Sequence, residues 1–121
     1  MATTTYKVLA QTGSSGNYGN GAATLTATTN TNLYTVPAAT QTVVSTLVIC
    51  NQAASAGTYR IGVRPAGAAI ALHQYIAYDV AVAANDSTAL TLGITLGATD
   101  QVFVYASAST MSFVLFGNET A

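Results

Sequence analysis

Short runs in which apolar side chains alternate with Thr, Ser or Ala recur along most of the chain, and Gly, Pro, Asn and Asp separate them. Such alternation is typical of β-strands that are buried on one face, and helical periodicity is hard to find. In residues 88–96, for example, Leu90, Leu92, Ile94 and Leu96 fall on one face. The pattern predicts roughly eight strands, within YKVLAQ, LYTV, VVSTLVIC, TYRIGVR, QYIAYDVAV, TALTLGITL, QVFVYAS and MSFVLFG.

The same period groups the other large side chains. Tyr59 falls with Ile61 and Val63, while Tyr78 falls with Ile76, Val80 and Val82. We therefore expect Tyr59 and Tyr78 to be core residues with their hydroxyl groups at the rim. Three runs, VVSTLVIC, QVFVYAS and MSFVLFG, are apolar on both faces, which is typical of central strands or of strands that a partner covers.

The segments between the predicted strands carry the residues of tight turns, and a chain of 121 residues has the size of one domain. Short strands at this spacing predict an all-β fold, a single-domain β-sandwich. Both the Ig-like and the jelly-roll topologies fit the spacing, so the choice between them stays open.

The first part of the chain differs in composition from the rest. Gly, Ser, Asn and Thr dominate residues 11–32, where only Tyr18 and Leu25 are possible anchors. Such a segment buries too little apolar area to offset the entropy lost on ordering. We therefore divide the chain into an N-terminal strand and extended arm or loop over residues 1–32 and a β-sandwich domain over residues 33–121. The arm is expected to order on contact with a neighbouring subunit or with another protein.

Charge is scarce, because only 6% of the residues are charged and the formal net charge is −1. Three basic residues are too few to follow a phosphate backbone, and no apolar run approaches the roughly 20 residues of a membrane helix. We therefore expect no nucleic-acid partner and no membrane partner. The N-terminus lacks the pattern of a secretion signal, which predicts synthesis in a cytoplasm. Weak repulsion between copies favours dense packing against other protein.

Candidate chemistry is sparse. A nucleophilic pair would need Cys50 and His73 to meet, whereas Cys50 lies in an apolar run and is expected to be a buried small hydrophobe. The carboxylates fall in separate strands and turns, without metal-ligand spacing. We therefore predict that the chain is not an enzyme and has no catalytic, metal or cofactor site.

Protein contact is the better use of the tyrosines and arginines. Arg60 and Arg64 share one strand face, where they either pair loosely with Asp79 in solvent or form forked hydrogen bonds to carboxylates or carbonyls of a partner protein. Tyr75 and Tyr105 lie on the faces of their strands opposite the core, where a subunit contact or sugar stacking is open to them. The full set of candidate partner contacts is Tyr6, Lys7, Tyr18, Leu25, Arg60, Arg64, Tyr75 and Tyr105.

Several segments together resemble a family of small virion proteins of tailed bacteriophages, particularly phages of aquatic bacteria such as cyanobacteria. They are MATTTYKVLAQ, LYTVPAATQTVVSTLVICNQ, TYRIGVRPAGAA, QYIAYDV, ANDSTALTLGITLGATDQVFVYAS and MSFVLFGNE. The resemblance implies a β-sandwich of the virion that decorates or cements the capsid, with the major capsid protein as its partner. It also implies a homo-oligomer, for which we favour a trimer. The alternative is a neck, tail or fibre component that binds host glycans.

Overall fold

The computed structural model describes residues 2–121, which form two antiparallel β-sheets. The five-stranded sheet has the order β2-β1-β9-β4-β7, and the four-stranded sheet has the order β3-β8-β5-β6. The strands are β1 (Thr4–Gly13), β2 (Gly16–Gly19), β3 (Thr31–Thr35), β4 (Gln41–Asn51), β5 (Gly57–Arg64), β6 (Tyr75–Val82), β7 (Ser87–Leu96), β8 (Gln101–Ala106) and β9 (Met111–Thr120). Two short 3-10 turns, Pro65–Gly67 and Leu72–Gln74, lie between β5 and β6. Within residues 2–121 there is no helix of the length and apolarity needed to cross a membrane.

The strand order defines a jelly roll. When the short β2 is set aside, four strands remain in each sheet, in the orders β1-β9-β4-β7 and β3-β8-β5-β6. From β3 onward, most connections cross from one sheet to the other, so that sequence neighbours are separated in space. Two interlocked Greek keys of this kind make a jelly roll, which resolves the choice that the sequence left open.

The predicted all-β sandwich is confirmed, and each of the eight predicted runs overlaps one of the strands. The ninth strand, β2, was not predicted, because GNYG has no alternation and two of its four residues are glycine. It forms because a tight turn brings it back beside β1, where Gln11 pairs with Tyr18. Hairpin geometry, and not side-chain pattern, makes this strand.

The first 32 residues do not project from the sandwich as the predicted arm would. Residue 1 lies outside the described residues, but β1 is an inner strand between β2 and β9, so removing residues 2–32 would take a strand out of the sheet. Leu25 is 3% exposed and belongs to the core. The Ala23 N–H donates to Asn32 O and the Thr35 N–H donates to Asn20 O, which covers the outer edge of β3. Burial of Leu25 and hydrogen bonds to the edge of β3 therefore order a segment whose composition predicted flexibility.

The core lies between the sheets and is lined by alternate residues of their inner faces. Its largest side chains, all fully buried, are Tyr34, Tyr59, Phe113, Leu9, Leu33, Leu47, Ile49, Ile61, Met111 and Leu115. The predicted inward face of β7 is confirmed, since Leu90, Leu92 and Ile94 pack against this core and Leu96 is buried. Tyr59 is a core residue as expected, but the prediction for Tyr78 is wrong, because Tyr78 is 49% exposed.

A β-bulge explains the position of Tyr78. Tyr59 pairs with Val80 and Ile61 pairs with Ala77, so Tyr78 and Asp79 together oppose one residue, Arg60. Asp79 has φ of 53°, and the extra residue reverses the alternation on that side of the strand. β7 carries a similar irregularity, where Gly93 has φ of 61° and the register shifts opposite β4. The outermost strands β6 and β7 are therefore both interrupted in their middle.

A polar chain joins the two sheets at one end of the sandwich. The Tyr34 hydroxyl donates to Oε2 of Glu119 and lies 2.8 Å from the Thr42 hydroxyl. Oε1 of the same carboxylate accepts a hydrogen bond of 2.9 Å from Lys7 Nζ. Burial alone would raise the pKa of Glu119, but the hydrogen bonds from Tyr34 and Lys7 outweigh burial and lower this pKa below its usual value. The carboxylate therefore stays ionised and connects β3 to β1, β4 and β9.

Replacement of Glu119 by Gln is expected to lower the free energy of unfolding by about 1–2 kcal/mol near neutral pH, because two charge-assisted hydrogen bonds weaken. Since the folded-state pKa lies below the unfolded one, this contribution is present above the unfolded pKa and is lost as the pH falls through the folded pKa. Urea unfolding of both proteins at neutral pH and at about pH 3 measures the change. If Glu119→Gln lowers the free energy of unfolding by the same amount at both pH values, the prediction is wrong. Asp86→Asn, in an exposed turn, is the control.

Candidate functional site

The outer face of the five-stranded sheet carries large apolar side chains that the rest of the chain leaves uncovered. Cross-strand pairing sets Val8 beside Phe116, Phe116 beside Thr46, and Thr46 beside Thr91. The next row along the strands runs from Gln11 through Val114 and Val48 to Ala89, and another runs from Tyr6 through Asn118 and Val43 to Thr95. We call this surface, defined by these three rows, the uncharged face.

No acidic or basic residue occurs in the three rows of the uncharged face. Val43 is 39% exposed and Phe116 is 36% exposed, while Val8, Val48 and Val114 are partly exposed. These apolar side chains are neighbours on β1, β9 and β4, and exposed apolar patches on a protein surface are candidates for protein association or ligand binding.

In the sequence, the uncharged face is indicated by runs of residues that are apolar on both sides of their strand. β4 and β9 contain two of these runs, VVSTLVIC and MSFVLFG, and they are neighbours at the centre of the sheet. Their inner residues, including Leu47 and Phe113, fill the core, and their outer residues, including Val48 and Val114, form the uncharged face. The outer residues were not among the predicted contacts, because spacing alone does not show which of two apolar faces is uncovered.

The outer face of the four-stranded sheet carries a different surface, which we call the tyrosine–arginine cluster: Arg60, Tyr75, Tyr78, Asp79 and Tyr105. The guanidinium carbon of Arg60 lies 4.2 Å from the ring centroids of both Tyr78 and Tyr105. Arg60 Nε donates to Asp79 Oδ1 at 2.6 Å and a terminal nitrogen donates to Oδ2 at 3.4 Å. This hydrogen bonding raises the pKa of Arg60 above its usual value. The arginine is thus a fixed cation stacked between two rings.

The cluster continues into a second, smaller apolar layer. Tyr75 meets Tyr78 edge to face at 5.0 Å and Phe103 at 5.3 Å between ring centroids. Phe103 points away from the main core yet is only 1% exposed, and a Cβ on Gly62 would lie 2.3 Å from its ring. Glycine at this position therefore allows the Phe103 ring to lie against β5. On this sheet the chain covers its own outward-facing aromatic side chain.

The two arginines use their hydrogen bonds within the chain. Arg60 pairs with Asp79, as the solvated alternative predicted, although it is also held between two rings. Arg64 does form a forked contact to backbone carbonyls, but these belong to Ala68 at 2.7 Å and Gly67 at 3.0 Å. Its guanidinium fixes the turn that follows β5. Both arginines therefore use Nε and one terminal nitrogen within the chain.

The remaining predicted contacts separate into three environments. Tyr6, in one row of the uncharged face, is 81% exposed, and Tyr18, which pairs with Gln11 at the border of the face, is 55% exposed. Lys7 is engaged by Glu119 at the end of the sandwich. Leu25 is a correction, because its side chain is buried in the chain's own core and offers no surface to another protein.

Cys50 and His73 lie in different parts of the fold. Cys50 is on β4 and pairs with Ser87 and Ser112, whereas His73 lies in the second 3-10 turn, before β6 of the other sheet. The expectation that Cys50 is buried is wrong: the side chain faces outward and is partly exposed beside the uncharged face. Across residues 2–121, His, Cys, Asp and Glu form no group of three or more that could hold a metal ion.

Comparison with protein-family models gives no match, and comparison with curated proteins gives none either. Among solved structures, the chain is similar to a chain in the "Structure of infectious bursal disease virus Gx strain". The TM-score is 0.47 and the sequence identity is 10%, with 99% of this chain and 31% of that chain covered. The chain thus spans less than a third of that neighbour's length.

Leu25→Ala tests whether this residue serves the core or a partner. We expect the free energy of unfolding to fall by about 2–4 kcal/mol, because a buried leucine is replaced by a cavity. Segment 14–32 should also become susceptible to limited proteolysis. Tyr18→Ala, in the same segment but exposed, is the matched control and should change stability by less than about 0.5 kcal/mol. An unchanged unfolding curve for Leu25→Ala would restore its assignment as a partner contact.

Proposed function

We propose that this chain is a structural protein of a virus particle, which decorates the assembled capsid and stabilises it by bridging neighbouring capsomers. The observation that carries this proposal is the uncharged face. A sheet with apolar residues on both sides has one side for its own core and one side for another protein. The second side is wide and has no charged group to recognise a small ionic substrate.

Two further points support the viral setting. The chain resembles small virion proteins of tailed bacteriophages over most of its length, and jelly rolls are common among capsid domains. The proposed bridging does not depend on a free N-terminal arm, because residues 11–32 pack on the sandwich of their own chain. Bridging instead depends on surfaces of the folded domain. Several modest contacts then add through effective concentration, and binding only the assembled shell stabilises it by linkage.

The first test is the number of copies of this chain in purified particles of the virus that encodes it, measured by quantitative mass spectrometry against the major shell protein. We expect a number comparable with that of the shell protein, because a decoration protein covers the whole surface. A count far below it would favour a neck or tail position. Absence from the particle would overturn the proposed function.

The second candidate function is host-surface recognition by a neck, tail or fibre component. The observation that favours it is the tyrosine–arginine cluster, in which Tyr78 is 49% exposed next to the Asp79 carboxylate and the Arg60 guanidinium. Aromatic rings stack on the apolar faces of sugars, while neighbouring charged groups accept and donate hydrogen bonds to sugar hydroxyls. Jelly rolls also occur among lectin domains.

Glycan-array binding by the isolated protein tests this candidate. If the cluster binds sugar, Tyr78→Ala should reduce the signal by about tenfold or more, which corresponds to about 1.4 kcal/mol. Tyr6→Ala removes an exposed tyrosine from the other sheet and should leave the signal unchanged. Absence of binding to any glycan by the wild-type protein, or equal loss in both variants, would count against a sugar site at the cluster.

A further inference from the structure

We propose that the uncharged face packs against the same face of a second copy of this chain, to form a two-fold symmetric dimer. This inference deepens the proposed function and rests on it in treating the face as a protein interface. It names the partner of this face, which the proposed function gave only as another protein. The tyrosine–arginine clusters would then face outward on both sides of the dimer.

Charge restricts which partner fits. A protein that covers the central rows must itself be nearly uncharged over the same area, because a charge buried there would find no opposite charge. The face of a second copy meets this condition. With a formal net charge of −1 on each chain, two copies also approach each other with little long-range repulsion.

The geometry of the sheet favours face-to-face packing. Two twisted sheets of the same hand stack about 10 Å apart, with their strands about 30° from parallel. A two-fold axis that runs along the strands between β4 and β9 places β4 of one copy over β9 of the other. The apolar strip formed by Val48, Val114 and Phe116 then meets its own counterpart. In such an isologous contact both copies use the same surface, so no third copy can add through it. The expected oligomer is therefore a dimer and not the trimer that the resemblance favoured.

The available area suits a weak dimer. Four strands about 4.8 Å apart, with about six residues each at 3.3 Å per residue, give a footprint on the order of 400 Å². Two such faces bury on the order of 800 Å², which is in the range of weak, transient interfaces. We therefore expect association in the high-micromolar range, which the high local concentration on a particle surface would favour.

Sheet edges are less suited than the face to join copies. Three of the four edge strands are protected: residues 20–23 cover β3, and bulges at Asp79 and Gly93 interrupt β6 and β7. A bulge breaks the regular row of N–H and C=O groups that an added strand needs. The uncharged face lacks any comparable device among the described residues, since no charged side chain projects from its three rows.

Sedimentation velocity of the purified full chain from about 1 μM to about 1 mM tests the inference. We expect a monomer–dimer equilibrium that Thr46→Lys shifts toward monomer by about tenfold or more in Kd. Thr46 lies between Phe116 and Thr91 on the uncharged face, so the lysine places a charge at its centre. Thr58→Lys, the same change at a partly exposed position on the outer face of the other sheet, is the matched control.

Ala89→Lys is a second variant of the uncharged face, which is used in case Thr46→Lys does not fold. Ala89 is exposed and pairs with Val48, so a lysine there remains on the uncharged face without disturbing the core. Circular dichroism and thermal unfolding establish that each variant is folded. The thiol of Cys50 supplies a local readout, because this partly exposed side chain lies beside the face and should react more slowly with a maleimide as dimer forms.

The salt dependence separates an apolar interface from a charged one. Association through the uncharged face should be unchanged or stronger at about 1 M salt, where exposed charge pairs are screened. Monomer at every concentration, a trimer, or a dimer that Thr58→Lys breaks and Thr46→Lys does not would overturn the inference. If the chain is abundant in particles but sediments as a monomer, the dimer is overturned and the proposed function is not. If the chain forms the dimer but is absent from particles, the proposed function is overturned and the dimer is not.

Discussion

A β-sheet whose central strands are apolar on both faces has to find cover for each face, and this requirement organises the molecule. In β4 and β9 the inward side chains meet the second sheet and form the core, with Leu47, Ile49, Phe113 and Leu115 fully buried. Burying such side chains stabilises the sandwich by roughly 1.5–3 kcal/mol each. The outward side chains obtain only part of this stabilisation from their own chain, because they stay partly exposed.

The two sheets meet this requirement in different ways. On the four-stranded sheet, Phe103 is covered within the chain, because Gly62 makes room for its ring and Tyr75 packs on its edge. Arg60 then spans Tyr78 and Tyr105, so the aromatic layer ends in a charge that faces water. On the five-stranded sheet the corresponding surface ends in valine, phenylalanine and threonine. One outer face covers its aromatic side chain within the chain, and the other keeps its valines and Phe116 partly exposed.

The strands could be predicted from sequence because their alternation is local, but the strand order could not. Which strands become neighbours depends on contacts between distant segments, such as β1 with β9, and no short window contains that information. The same reason explains particular errors. Tyr78 follows the inward pattern until the bulge at Asp79 changes its face, and Leu25 lies in a polar segment whose course is set by hydrogen bonds to β1 and β3. Of the predicted contacts, Tyr6 and Tyr18 are the most exposed, the first in the uncharged face and the second at its border.

The bulges in β6 and β7 also affect what happens when many copies are held close together. A sheet that grows through its edges has no natural end, since every added subunit presents a fresh edge, and the product is a fibre. An interrupted edge slows that reaction, while a face that pairs once is consumed by its own partner. Two unusual backbone positions, Asp79 and Gly93, thereby disfavour open-ended growth of the sheets through β6 and β7.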